Sequence, residues 1–210
     1  MVGTTSQMNI GRWGFVLMLS ALAFLSTAAL ADETEGGDSP EAVFKAAQAA
    51  GAAKDYAALV KLVAPSERPM LAFGTDIGVG MFVEFYEGEK ADEMKKQYET
   101  IQKKYGVEPE SEGEEETLHI TQDTPQEVID AHMRKRAQRL YGHVNVVDYV
   151  PDLMAIVINM PEMADHPGFP QEKLHDLQID GDRATGTVGE KTISFLREGD
   201  RWYLTSDAMN

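Results

Sequence analysis

The sequence predicts an α+β protein in which a helical N-terminal two-thirds packs on a C-terminal antiparallel β-meander. Three observations predict it. Apolar residues recur at three- and four-residue spacing over most of residues 39–160. They alternate at two-residue spacing from Leu177 to Leu204, and tight glycine turns divide that second region into four short pieces.

Ser39-Pro40-Glu41 opens the first helix. Serine caps it, proline suits its first position, and a first-turn glutamate meets the positive end of the helix dipole. Val43, Phe44 and Ala47 share one side, and Gly51 is expected to end or loosen the helix. A short second helix follows Asp55, with Tyr56, Leu59, Val60 and Val63 in register, and Ala64-Pro65-Ser66 closes it. Between Pro69 and Tyr86, Met70, Phe73, Ile77, Met81 and Phe85 form a helical stripe interrupted by Gly74, Gly78 and Gly80. The Gly74-x-x-x-Gly78 spacing invites a membrane reading. Asp76 inside it and Glu84 beyond it favour instead a buried helix whose glycines admit close packing.

Glu89 to Tyr105 reads as an amphipathic helix with Met94, Tyr98, Ile101 and Tyr105 on one face. Glu108 to Glu116, glutamate-rich with Pro109 and Gly113, reads as a solvated loop. Thr124-Pro125-Gln126-Glu127 repeats the cap-then-proline start and opens a helix with Ile129, Met133, Ala137 and Leu140 on one face. Residues 153–160 fit either a helix started by Pro151-Asp152 or a buried strand, and helix is the preferred assignment. The span from Met160 to Pro170 is rich in proline and reads as a loop. Four strands then alternate around Asp180-Gly181-Asp182, Gly189-Glu190 and Glu198-Gly199-Asp200.

The two ends of the chain bound its compartment. Residues 1–31 hold one charged side chain, Arg12, then an apolar run from Trp13 to Ala29, and finish in Ala29-Leu30-Ala31. A basic start, an apolar middle and small residues before a cut describe a secretory signal peptide, so a periplasmic or secreted protein is expected. Residues 32–38 lack periodicity and are expected to be a flexible leader to a single domain over 39–210, with a helical insertion around 65–173. The chain has no cysteine, which excludes lipid attachment through a thioether, disulfides, thiolate metal ligands and thiol nucleophiles. Its net charge is −16, and Arg12 is removed with the signal, so the mature chain is more acidic still. Such a field repels phosphate backbones and anionic headgroups. Nucleic acid is not expected as a partner, nor is stable membrane insertion after signal cleavage.

Two stretches together resemble a known superfamily. Ser39-Pro40-Glu41-Ala42-Val43, Lys54-Asp55-Tyr56 and Leu59-Val60-Lys61-Leu62-Val63 look like the opening of exported domains of the nuclear transport factor two-like superfamily, which have a cystatin-like α+β cone. Ile179-Asp180-Gly181-Asp182-Arg183-Ala184-Thr185 and Glu198-Gly199-Asp200-Arg201-Trp202-Tyr203-Leu204 are similar to its closing strands. The match covers residues 39–64 and 174–206, and the middle departs from the pattern by inserting helices. The resemblance implies a curved sheet with helices across its concave side, often enclosing an apolar pocket. Inserted helices could fill or lid that pocket.

Enzymes of that superfamily, the ketosteroid-isomerase-like ones, use a pocket carboxylate and a tyrosine or protonated acid. Suitable residue types here are Asp76, Tyr86, Asp148 and Tyr149, and none sits in a motif that transfers a role. The histidines, His119, His132, His143, His166 and His175, are scattered and none pairs at ligand spacing. The glutamates Glu108, Glu110, Glu112, Glu114, Glu115 and Glu116 lack the ordered spacing of a calcium loop. Arg134, Lys135, Arg136 and Arg139 read as a solvated helix face. Gly78-Val79-Gly80 falls inside a helical stripe and not at a dinucleotide turn. No catalytic, cofactor-binding or metal-ligating residue is therefore assigned. The sequence leads to an exported non-enzymatic binding or accessory protein that holds an apolar small molecule or an envelope protein between helices and sheet. The alternative is a small pocket enzyme using a buried carboxylate and a tyrosine. Oligomeric state is open.

Overall fold

In a computed structural model that describes residues 35–107, 121, 124–158, 160 and 168–209, helices occupy the N-terminal part and four strands follow. Residues 1–31, the expected signal, lie outside the described residues, as do the glutamates from Glu108 to Glu116, His119 and His166. The helices are α1 (Pro40–Ala53), α2 (Tyr56–Lys61), α3 (Arg68–Phe85), α4 (Ala91–Tyr105), α5 (Gln126–Tyr141) and α6 (Val146–Ile158). The strands are β1 (His175–Asp180), β2 (Arg183–Val188), β3 (Lys191–Glu198) and β4 (Arg201–Leu204), antiparallel in the order β1-β2-β3-β4. The protein is α+β, with its helices preceding a C-terminal meander.

The local chemistry explains most boundaries. Ser39 Oγ accepts from the Ala42 amide at 3.2 Å, and Asp55 Oδ1 accepts from the Ala58 amide at 2.9 Å, capping α1 and α2. Gly51 does not end α1, which runs on to Ala53 and closes on Lys54 in the left-handed region (φ 55°). The glycine is a packing residue: a Cβ there would stand 2.6 Å from the Cβ of Phe169. α5 starts one residue later than its sequence suggests, because the Thr124 hydroxyl accepts from the Thr121 amide and leaves Pro125 at the cap. Residues 153–158 are helical, and α6 begins at Val146, so Pro151 lies inside the helix and does not start it. There it removes one backbone donor without ending the helix.

In the sheet, Gly181, Gly189 and Gly199 take φ near +60°, the conformation these tight turns demand. Ala184 pairs with Phe195, and Phe195 with Leu204, so the apolar residues of β2, β3 and β4 share the buried face. β1 is the exception. Its register shifts between His175 and Gln178, Asp176 has φ +50°, and Ile179 is exposed although the alternation would bury it. The outer edge of β4 is covered by chain from the N-terminal side. Gly37 and Trp202 exchange two 2.8 Å backbone hydrogen bonds, and Leu204 bonds to Leu62 and Ala64. The described part of the expected leader is thus anchored: Gly36 and Gly37 are buried, Arg201 reaches Asp38 and the Gly36 carbonyl, and Arg68 pairs with Glu35.

α1 packs on β4, α2 on α1 and α6, and α3 on α4, α5 and α6. Tyr149, Phe195, Leu59, Leu153, Ile193 and Leu204 are the largest fully buried side chains, so the core runs from α6 through α2 to the sheet. α3 departs most from its sequence pattern. Leu71, Ala72, Phe73, Asp76, Val79 and Val83 face inward, while Ile77, Met81 and Phe85 are 44%, 57% and 76% exposed. Only Gly80 of its glycines serves close packing, since a Cβ there would stand 2.7 Å from the Tyr98 hydroxyl. A Cβ at Gly74 or Gly78 would meet nothing within 4 Å.

Candidate functional site: a cleft between helices and sheet

A cleft of about 670 Å³ opens between the start of α3, the middle of α5 and strands β2 and β3. Its buried polar element is Glu67, which ends the 3-10 turn Pro65–Glu67 and is only 7% exposed. One carboxylate oxygen is ion-paired with Arg134 Nη1 from α5, and the other accepts from Ser206 Oγ at 2.9 Å. A buried carboxylate needs such partners, because an unpaired charge out of water is strongly unfavourable. Met70, Leu71 and Phe195 supply apolar wall, and Arg183 stands at the β2 side. Thr205 is occupied within the cleft, donating to the Ser194 carbonyl at 3.0 Å. The cleft offers a small amphiphilic molecule both apolar contact and hydrogen-bond donors.

Arg134 therefore does not belong to a merely solvated basic face. Arg136 of the same cluster lies over the ring of Phe73 at 5.5 Å. The sequence pattern missed Glu67 altogether. Its one available signal was an acid directly after Pro65-Ser66, which is ordinary for a helix start.

A second polar constellation is buried among α3, α4, α5 and α6. Asp76 Oδ1 accepts from the Tyr149 hydroxyl and Oδ2 from the Tyr141 hydroxyl, both at 2.6 Å. Tyr98 donates to the Asp76 carbonyl oxygen at 3.4 Å and accepts from Gln102 at 2.9 Å. Burial, reinforced by Asp76, pushes the Tyr149 and Tyr98 phenols well above the ordinary value of 10.0. Asp76 and Tyr149 are two of the four residues whose types suit a pocket enzyme, and the fold brings them together. Tyr86 instead packs on Phe82, and Asp148 accepts from Asn145 at 2.6 Å in the first turn of α6. Asp76 lines neither the cleft above nor two shallower ones, between α4 and α6 and beside Phe169.

The described histidines stay apart: His132 is on α5, His143 lies 3.4 Å from the Gly106 carbonyl oxygen, and His175 begins β1. Among the described residues no group of three or more His, Asp or Glu could hold a metal ion, and no helix is long and apolar enough to cross a membrane. Searches of known protein families, characterised proteins and solved structures return no match to this chain.

Proposed function

We propose that this chain is an exported, non-enzymatic binding or accessory protein, and that its ligand sits in the cleft between helices and sheet. The cleft itself carries the reading. It is large enough for a small molecule or a few residues of a partner, has apolar walls, and keeps a buried carboxylate fixed by Arg134 and Ser206. The ligand is an apolar small molecule with one polar end, or an apolar segment of an envelope protein. Export rests on residues 1–31, and kinship with the nuclear transport factor two-like superfamily rests on the α1–α2 opening and the closing hairpins.

Native mass spectrometry of the protein recovered from its own host tests the binding reading. A bound molecule, lost when Ala184→Trp fills the cleft, supports it; an unliganded protein indifferent to that substitution counts against it. The same spectrum tests export, because cleavage after Ala31 fixes the mass. The enzyme alternative draws on the meeting of Asp76 with Tyr149. Both oxygens of that carboxyl already accept hydrogen bonds from phenols, and it lines none of the three described clefts, which favours the binding reading.

A further inference from the structure

The outward face of α3 is unlike an ordinary helix surface. Met70, Gly74, Ile77, Gly78, Met81 and Phe85 follow one another along it, and the charged side chain at its edge, Glu84, is ion-paired with Lys95. A glycine inside a helix costs about 0.5–1 kcal/mol relative to alanine. At Gly80 that cost has a reason within the chain, the hydroxyl of Tyr98; at Gly74 and Gly78 it has none, because the space above both is open. Large exposed apolar side chains beside two bare stretches of helix backbone make a surface of knobs and notches.

We infer that this face binds a second copy of the chain, with the two α3 helices antiparallel about a two-fold axis between Ile77 and Gly78. The spacing on α3 is self-complementary in that register. Met81 of each copy faces the Gly74 notch of the other, Ile77 faces Gly78, and Phe85 faces Met70. Met81 and Ile77 thus each meet a glycine and Phe85 a flexible thioether, and every contact is made twice, as a two-fold interface requires. A parallel pairing would set Phe85 on Phe85 and leave the glycine notches facing each other, empty.

Charge favours the same orientation. Among the described residues Arg183 and Glu87 are exposed and make no ion pair; Arg183 lies at the Met70 end of the stripe, beside the cleft, and Glu87 just beyond Phe85. Antiparallel packing brings each to the other's end. Of the acids around the cleft, Glu67 is paired with Arg134 and Asp130 accepts from Gln126, while Asp207, on the turn Ser206–Met209 that packs against α3, and Asp182 beside Arg183 offset part of that positive charge. Two helices in contact over about 22 Å withdraw roughly 1,000 Å² in total, at the lower bound for a specific interface. An interface of that size fits a weak, reversible dimer. With a large negative charge on each chain, it tightens as salt screens the long-range repulsion.

Sedimentation velocity across the micromolar range, on the chain as its host releases it, tests the pairing. Wild type should pass from monomer to dimer, at lower concentration in higher salt. Gly74→Leu should weaken the dimer roughly tenfold or more while the monomer keeps or raises its melting temperature, since the new side chain meets nothing within its own chain. Exchanging knob and notch, Gly74→Met with Met81→Gly, should restore association. A wild-type chain that stays monomeric, a dimer indifferent to Gly74→Leu, or a failed exchange in a folded protein would each overturn the pairing. Met70 and Gly74 also line the cleft, so the runs are repeated on Ala184→Trp, in which the cleft is filled and the pairing should match that of wild type.

Discussion

The hydroxyl of Tyr149 on α6 donates a 2.6 Å hydrogen bond to Oδ1 of Asp76 on α3, joining residues 73 positions apart at the centre of the helical layer. Tyr141 completes the pair from α5. The donors that reach this buried carboxyl are two phenols and, at 3.5 Å, the Gln102 amide of α4, so the helices are tied together by uncharged groups.

Tyr149→Phe removes one of those donors and leaves the ring. A hydrogen bond to a buried acid of this kind is worth about 1.5–3 kcal/mol, and the variant should lose that much in urea unfolding at neutral pH. In a double-mutant cycle with Asp76→Asn the two losses should be less than additive. Additive losses would mean that the hydrogen bond does not link the helices energetically.

The same phenols set a limit in alkali. The folded state holds Tyr149 and Tyr98 neutral by burial and then by Asp76, so their pKa values are raised above 10.0. A raised folded pKa gives stability that is fully present below the unfolded value and is lost as pH rises through the folded one. Denaturation midpoints should be flat with respect to these groups below pH 10 and fall above it. In Tyr149→Phe the alkaline fall should be shallower.

Glu67 should show the asymmetry of a buried charge. Ser206→Ala removes one partner and is expected to cost about 1–2 kcal/mol. Arg134→Ala takes away the cation paired with it and should cost more, about 2–4 kcal/mol, discounted because the guanidinium is half exposed. Calorimetric melting of both variants decides the order. The reverse order would mean that Arg134 does little for the folded state.

Two interior helix glycines should respond in opposite directions to alanine. Gly74→Ala adds a methyl group to open space and gains roughly 0.5–1 kcal/mol in the monomer from helix propensity. Gly51→Ala drives a methyl group against the Phe169 backbone and Cβ, within 2.7 Å of each, and should destabilise despite the same propensity gain. Denaturant midpoints of the two variants, measured below the dimer concentration, check the pair.

Much of the architecture was legible because it rests on local rules. Ser39 and Asp55 cap where their spacing places them, and Gly181, Gly189 and Gly199 mark each hairpin because few other residues adopt that backbone. What was hidden depends on partners distant in the chain. The α3 stripe looked like a core face because Ile77, Met81 and Phe85 are apolar. The helix instead turns Asp76 inward, where Tyr141 and Tyr149 supply hydrogen bonds that no periodicity reveals. Glu67 likewise gains its meaning only from Arg134 and Ser206. Residues 35–38 carry no pattern of their own, and it is the bare edge of β4 that gives them a place.

That last junction has a temporal meaning. The backbone of Gly37, near the beginning of the described residues, is satisfied by Trp202, near their end. Whether the chain emerges from a ribosome or is threaded through a membrane pore with its N-terminus leading, Gly37 must wait for nearly the whole polypeptide to follow. Until then Leu62 and Ala64, which also need β4, stay unmatched as well. That seam closes only once β4 is present, and a chain interrupted before Trp202 would be left unzipped along it.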